Sequence, residues 1–131
     1  MEKNNIRRHL WGMEIIWADQ ADYKGKILVF EKEGFSTDMH MHKETDKSWF
    51  VNSGSVLVRY VDTNDGQTYE KSLNEGETFF VKALTPVMLQ AKTAGASVSE
   101  VNNQKNVDDI FVLAKTMIAK ENENVETSLS V

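Results

Sequence analysis

Residues 34–54 read GFSTDMHMHKETDKSWFVNSG and carry the clearest structural pattern in the chain. If the segment around His40 and His42 is a β-strand, both imidazoles point to one face, because strand side chains alternate with a period of two. The polar run 43–48 interrupts the strand, and the apolar residues 49–51 begin another. The pattern therefore predicts strand, turn and strand, with two of the chain's three histidines brought to one place.

Short apolar or alternating segments separated by turn residues lie on both sides of this stretch. They occupy residues 10–18, 26–33, 55–62, 68–73, 77–82, 87–93 and 96–101. Asp65-Gly66 is the strongest hairpin signal, since this pair tolerates the positive φ angles of a tight turn. Gly12 is predicted to mark a bulge or a close approach of backbone. Strands at this spacing are typical of sandwiches and barrels, so we expect an all-β domain.

The two ends of the chain depart from the strand pattern. Residues 1–8 are polar and are predicted to form a loose arm, whereas residues 108–119 could begin as a last strand and continue as a short helix. The rest of the tail is polar and is expected to fray or be disordered. The expected organisation is an arm at 1–9, a β-barrel at 10–113 and a helix or tail at 114–131.

Composition excludes several classes of function. With 131 residues the chain suits one domain, and its net charge of −5 argues against a nucleic-acid partner, which would need a basic face. There are no cysteines, so neither a disulfide nor a thiolate zinc site is possible. We see no apolar run that would make a leader or a membrane span, and we therefore expect a cytoplasmic protein without a membrane partner.

The order of glycine, His-x-His, polar loop, aromatic strand and closing glycine in residues 34–54 resembles the first motif of the cupin superfamily. The segment that begins at Gly76 has the place of the second motif. The resemblance covers residues 10–113 and implies a jelly-roll barrel, also called a double-stranded β-helix, with its site in the barrel mouth. Leu10-Trp11-Gly12 and residues 40–54 look most like the cupin domains related to mannose-6-phosphate isomerase and to mannose-1-phosphate guanylyltransferases. Such domains commonly pair, so the resemblance also implies a homodimer.

The chain departs from that family pattern at two of the four metal ligands that the resemblance implies. Lys47 stands where the family has a glutamate, and Val87 stands where it has a histidine. His40 and His42 remain as candidate ligands for a divalent transition metal such as Ni, Mn, Fe or Zn. Because the Lys47 ammonium would repel a dication, we expect no tightly bound metal. Asp46 and His9 are the nearest candidates for a substitute ligand, although the family pattern places neither.

These residues lead to a first hypothesis, in which the barrel mouth binds a small polar or anionic molecule such as a sugar or sugar phosphate. His40, His42 and Lys47 would supply hydrogen bonds and charge. Four further side chains would shape the cavity, with core packing as the alternative role: Trp49, Tyr60, Phe79 and Val87. A second hypothesis is a metal-dependent isomerase, epimerase, lyase or dioxygenase that uses His40, His42 and an unrecognised ligand. A third is an assembly module whose barrel is filled with side chains.

Overall fold

The computed structural model describes residues 5–116, and strands form most of that range. The strands are β1 (Ile6–His9), β2 (Gly12–Asp19), β3 (Lys24–Phe30), β4 (Met39–His42), β5 (Lys47–Ser53), β6 (Ser55–Asp62), β7 (Gln67–Asn74), β8 (Thr78–Val81), β9 (Val87–Ala91), β10 (Ser97–Asn102) and β11 (Ile110–Ala114). A single turn of 3-10 helix, Val107–Asp109, precedes β11. The all-β prediction is confirmed.

The strands form two antiparallel sheets arranged as a jelly roll. One sheet has the order β1-β2-β3-β10-β5-β8, and the other has the order β11-β4-β9-β6-β7. Strands that are distant in sequence lie side by side, since β10 pairs with β3 on one side and with β5 on the other. In the second sheet β4 lies between β11 and β9. This order brings the strand that carries His40 and His42 opposite the sheet that contains β5 and β10.

The core fills the space between the sheets at one end. Its side chains come from alternate strand positions, as a period of two requires when one face of a sheet is buried. The members with no exposed surface include Phe30, Val51, Val56, Val58, Leu73, Val87, Leu89 and Val98. Toward the other end the inward positions change from apolar to charged, because β5 starts with buried Lys47 and β10 carries buried Glu100. A cavity lies at that end.

Two glycine predictions are confirmed. Gly66 has a φ of 70° and closes the β6–β7 hairpin at the predicted Asp65-Gly66 turn. Gly12 has a φ of 152°, and a Cβ at that position would lie 1.9 Å from the carbonyl oxygen of Val29. Gly12 therefore marks a close approach of backbone between β2 and β3, which only glycine permits.

The predicted loose arm is partly wrong. Ile6–His9 forms strand β1, which pairs with Gly12–Ile15 of β2 in a tight hairpin. All its residues are exposed, so hydrogen bonding to the neighbouring strand, rather than burial of apolar surface, holds it in place. At the other end β11 confirms the predicted last strand, whereas the predicted helix falls largely beyond residue 116, outside the described residues. Between residues 5 and 116, no helix is long and apolar enough to cross a membrane.

Candidate binding site between the sheets

A cavity of about 450 Å³ lies between the two sheets, at the end where the inward positions are charged. Both sheets contribute to its lining, so it exists only when the barrel is closed. The polar side chains that matter most for its chemistry are Lys26, His40, His42, Lys47, Glu100 and Asn102. Trp11 and Trp49 supply aromatic surface in the same lining. A cavity of this size and mixed character is typical of a small-molecule site.

His40 and Lys47 meet across the gap between the sheets. Strand β4 places His40 on the inward face of one sheet, and Lys47 opens β5 of the other sheet on the face it shares with Trp49. The distance between Lys47 Nζ and His40 Nε2 is 2.7 Å. On the other side of the ring, His40 Nδ1 lies 2.8 Å from the carbonyl oxygen of Asp38. A carbonyl can only accept, so Nδ1 carries the proton and Nε2 presents its lone pair to Lys47.

The charge states of this pair follow from their burial. The pKa of His40 falls from 6.5 to about 3, mainly because the ring is buried and also because the Lys47 ammonium lies next to it. His40 is therefore a neutral imidazole at physiological pH. Burial also lowers the pKa of Lys47 below its usual 10.5, and the carboxylate of Glu100 offsets part of that effect. Lys47 also lies over the face of Trp49, with Nζ 5.0 Å from the ring centroid, which favours the ammonium form.

The low pKa of His40 predicts how stability changes with pH. The folded state takes up a proton at His40 less readily than the unfolded chain does. The contribution of His40 to the free energy of unfolding is therefore fully present above pH 6.5 and is lost as the pH falls toward 3. In that window His40 contributes a slope that approaches about 1.4 kcal/mol per pH unit, the value for one proton. Urea unfolding at several pH values should show this slope, and His40→Gln, which cannot titrate, should flatten it.

Lys92→Met is the matched control for that measurement, because Lys92 is exposed and its ammonium donates a hydrogen bond to the exposed Ser72. It should keep the wild-type slope. An unchanged slope in His40→Gln would contradict the assignment of a buried, neutral His40.

Glu100 supplies the buried negative charge of the site. Trp49 Nε1 and Asn102 Nδ2 donate hydrogen bonds of 2.7 and 2.8 Å to its two carboxylate oxygens, and Lys26 Nζ lies 3.8 Å away. Burial alone would raise the pKa of Glu100, but Lys47, Lys26 and these hydrogen bonds outweigh it and lower the pKa to about 2. Glu100 is therefore an ionised carboxylate, and it compensates the cations on the neighbouring strands.

His42 belongs to a second hydrogen-bonded group. Its Nδ1 lies 3.0 Å from Asp109 Oδ1, and Asp109 also accepts hydrogen bonds from Thr45, Gln104 and the backbone of Glu44. Burial raises the pKa of Asp109, but these donors outweigh it and hold the pKa well below the usual range. A charged Asp109 fixes the proton of His42 on Nδ1. Within residues 5–116, Nε2 of His42 has no hydrogen-bond partner, and the ring lines the cavity.

The structure brings together four of the seven side chains that the sequence suggested for the site. His40, His42, Lys47 and Trp49 all line the cavity. The other three, Tyr60, Phe79 and Val87, lie outside its lining. Phe79 stacks behind Trp49 with ring centroids 6.5 Å apart, and it also contacts Tyr60 at 5.2 Å. The rings of Tyr60 and Phe79 both pack against the hydrophobic core.

Val87 has no exposed surface and lies directly opposite His40 in the β4–β9 pair. It therefore packs beside the histidine rather than facing the cavity. Of the two candidate substitute ligands, Asp46 turns to the backbone N–H of Ala83 and does not line the cavity. His9 does line the cavity, stacked on Trp11 and 3.6 Å from the carboxylate of Glu14.

Glu100, Asp109 and Lys26 belong to the site but were not predicted from the sequence. Glu100 could have been found, because it lies two positions after buried Val98 and therefore points to the same inward face of β10. Lys26 keeps the alternation of buried Leu28 and Phe30 in the same way. Asp109 lies in the turn before β11, 67 positions from His42, and carries no comparable signal.

The donor set does not fit a divalent metal. Among the described residues, no three or more histidine, aspartate or glutamate side chains converge in a way that could hold one. The Nε2 lone pair of His40, which would bind a metal, instead accepts a hydrogen bond from a cation. Lys47 therefore occupies the position that a metal ion would need, and its charge repels a dication.

Comparison with known proteins agrees with this fold. A family model described as Cupin matches residues 26–128. No curated protein matches the sequence.

Several solved structures are similar to the chain. Oxalate decarboxylase from Bacillus subtilis is 20% identical with a TM-score of 0.71, over 82% of this chain and 29% of that chain. The capsular polysaccharide assembling protein CapF from Staphylococcus aureus is 16% identical with a TM-score of 0.71, over 83% of this chain and 34% of that chain. KdgF from Halomonas sp. is 19% identical with a TM-score of 0.62, over 81% of this chain and 84% of that chain. At such identities the likeness concerns the fold alone, and this chain spans only about a third of the first two.

Proposed function

Because this chain belongs to the cupin family, we propose that it binds a small polar or anionic molecule in the barrel cavity with its own side chains and without a tightly bound metal. The contact that carries this proposal is the 2.7 Å hydrogen bond between Lys47 Nζ and His40 Nε2. It puts a cation where a metal would otherwise bind. An anionic or strongly polar group of a ligand can meet that cation directly.

The cavity offers a set of polar groups that suits a polyhydroxy or carboxylate ligand. Lys47 and Lys26 supply positive charge, and Nε2 of His42, which has no hydrogen-bond partner within residues 5–116, can accept a hydrogen bond from a hydroxyl group. Trp11 and Trp49 add apolar surface to the lining, but His9 stacks on Trp11, and Lys47 and Phe79 cover Trp49, so a ligand would meet the edges of these rings rather than their faces. A ligand of monosaccharide size fits about 450 Å³. We therefore propose a sugar, a sugar phosphate or a small carboxylic acid, in keeping with the resemblance to sugar-phosphate isomerase-like cupins.

Calorimetric titration with a panel of monosaccharides, sugar phosphates, pyruvate, lactate and glyceraldehyde tests this proposal. We expect saturable binding of at least one member, and we expect Lys47→Met to weaken it about tenfold or more, since a charge-assisted hydrogen bond is lost. The matched control is Lys92→Met, which makes the same substitution at an exposed lysine and should leave binding unchanged.

Failure of the whole panel to bind, or equal binding by Lys47→Met, would overturn the proposal. Elemental analysis of the purified protein tests the alternative hypothesis of a metal-dependent enzyme. Stoichiometric metal that disappears in His40→Ala would support a metal-dependent isomerase, epimerase, lyase or dioxygenase instead.

A further inference from the structure

We propose that Lys47 is a nucleophile that condenses with the carbonyl group of a small aldehyde or ketone to form an imine, with His40 as its base. This inference rests on the proposed function and deepens it, because it names carbonyl compounds as the ligand class. It assigns the cavity a covalent chemistry that needs no metal.

The first support is a chain of three groups in line. Lys47 Nζ lies 2.7 Å from His40 Nε2, and His40 Nδ1 lies 2.8 Å from the carbonyl oxygen of Asp38. A nucleophile within hydrogen-bond reach of a base, with the base oriented by a third group, is the arrangement that activates nucleophiles in enzymes. Here the backbone carbonyl fixes the tautomer that leaves Nε2 free to take a proton from Nζ.

The second support is the setting of the amine. Lys47 is only 5% exposed, yet it lines the cavity, so a bound ligand can reach it while bulk water does not surround it. Within residues 5–116 it forms no direct salt bridge: it contacts the His40 imidazole and the Trp49 indole face, and Glu100 is a more distant counter-charge.

The third support is what surrounds the reacting amine. Lys26 lines the same cavity, 3.5 Å from Glu14 and 3.8 Å from Glu100, and its ammonium can in addition approach a carboxylate or phosphate group next to the carbonyl. His42 presents Nε2 toward a neighbouring hydroxyl group. A short carbonyl compound with an acidic or hydroxylated chain, such as a 2-oxo acid or an open-chain sugar, therefore matches the cavity best.

The step balances without an oxidant or a reductant. The Lys47 ammonium first releases one proton to solvent, which gives the neutral amine. The Nζ lone pair then forms a bond to the carbonyl carbon, and the π electrons of the C=O bond move to its oxygen. A proton from Nζ passes to Nε2 of His40 and then to that oxygen, which gives a carbinolamine. His40 accepts the second Nζ proton and returns it to the hydroxyl group as the C–O bond breaks. The products are the imine at Lys47 and a water molecule.

Reductive trapping tests the proposal on the 131-residue chain. Incubation with pyruvate or glyceraldehyde and sodium cyanoborohydride near neutral pH should give one stable adduct per chain, and peptide mapping by mass spectrometry should locate it at Lys47. Lys47→Arg should lose this adduct, whereas Lys92→Met should keep it. Adducts spread over exposed lysines, with Lys47 unmodified in the wild-type protein, would overturn the proposal whether or not the Lys47 variant folds.

His40→Gln tests the base separately. This variant keeps a neutral polar side chain and the Lys47 amine, but it lacks the basic nitrogen. Trapping at Lys47 should become about a hundredfold slower, the usual size of a general-base effect. Trapping at the wild-type rate would overturn the role of His40.

Lactate and glycerol separate this inference from the proposed function, because they match pyruvate and glyceraldehyde in size but have no aldehyde or ketone group. If calorimetry detects binding of the panel but no adduct forms with pyruvate or glyceraldehyde, the lysine chemistry is wrong and the binding proposal stands. If no member of the panel binds, the binding proposal itself fails.

Discussion

Replacing Lys47 by glutamate and Val87 by histidine together is expected to turn the cavity into a tight divalent-metal site. Val87 lies directly opposite His40 in the β4–β9 pair, so a histidine at position 87 would place its side chain next to the imidazoles of His40 and His42. Lys47 already reaches Nε2 of His40 at 2.7 Å, so a carboxylate at this position would lie close to the same point. Three imidazoles and a carboxylate then replace two imidazoles and an ammonium.

The expected gain in metal affinity is large because the double substitution has two effects. It removes the cation that repels a dication, and it doubles the number of protein ligands. Metal analysis of the purified double variant, followed by calorimetric titration with Mn²⁺, Ni²⁺ and Zn²⁺, should reveal stoichiometric binding where the wild-type protein takes up little. The energetic cost of placing histidine at a fully buried position should appear as a lower melting temperature, recovered when metal is added.

Each single substitution is a control, since neither alone completes the ligand set. Adding His40→Ala to the double variant should abolish binding. A folded double variant that binds no metal in titration would mean that these four positions do not converge, and the correspondence with the cupin metal ligands would be wrong.

Removing the Glu100 carboxylate is expected to be the most damaging single change in the site. Glu100→Ala leaves the N–H donors of Trp49 and Asn102 without their acceptor. It also removes the largest of the interactions that favour the Lys47 ammonium. Breaking a buried charge pair from one side typically costs about 3 to 5 kcal/mol. Urea unfolding at neutral pH should show a loss of that size, and Glu100→Gln, which keeps the shape and one acceptor, should lose less.

Glu70→Ala is the matched control, because Glu70 pairs with Arg59 on the exposed surface of β6 and β7. Surface pairs contribute at most about 1 kcal/mol, so this variant should unfold close to the wild-type protein. Similar losses in both variants would contradict the view that Glu100 is the buried counter-charge of the site.

The local parts of the fold were readable from short stretches of sequence. The His-x-His spacing predicted that His40 and His42 share a face, and both line the cavity. The Asp65-Gly66 turn and the close approach at Gly12 were also predicted correctly, because each depends on the backbone conformation of a few residues. The strand at Ile6–His9 was missed because its polar side chains lack a buried face, and only pairing with β2 holds it.

The site itself was predicted in part. Lys47 was recognised as a cation near the two histidines, but its direct contact with Nε2 of His40 could not be read from the sequence. Tyr60, Phe79 and Val87 were assigned to the cavity, yet they lie outside its lining. Alternation identifies side chains that point inward, but it does not tell which of them neighbouring side chains will cover, as Trp49 covers Phe79.

By itself, the sequence determined the all-β class and the shared face of His40 and His42, and its resemblance to cupin motifs implied that a lysine and a valine stand at two metal-ligand positions. The tertiary structure alone decided that Lys47 would meet His40, and that Glu100 and Asp109 would complete the charge pattern around them. The physical reason is the separation in sequence between the residues that interact. Side-chain alternation and turn conformation are properties of neighbouring residues, whereas the meeting of β4, β5 and β10 depends on how two distant sheets close over a common core.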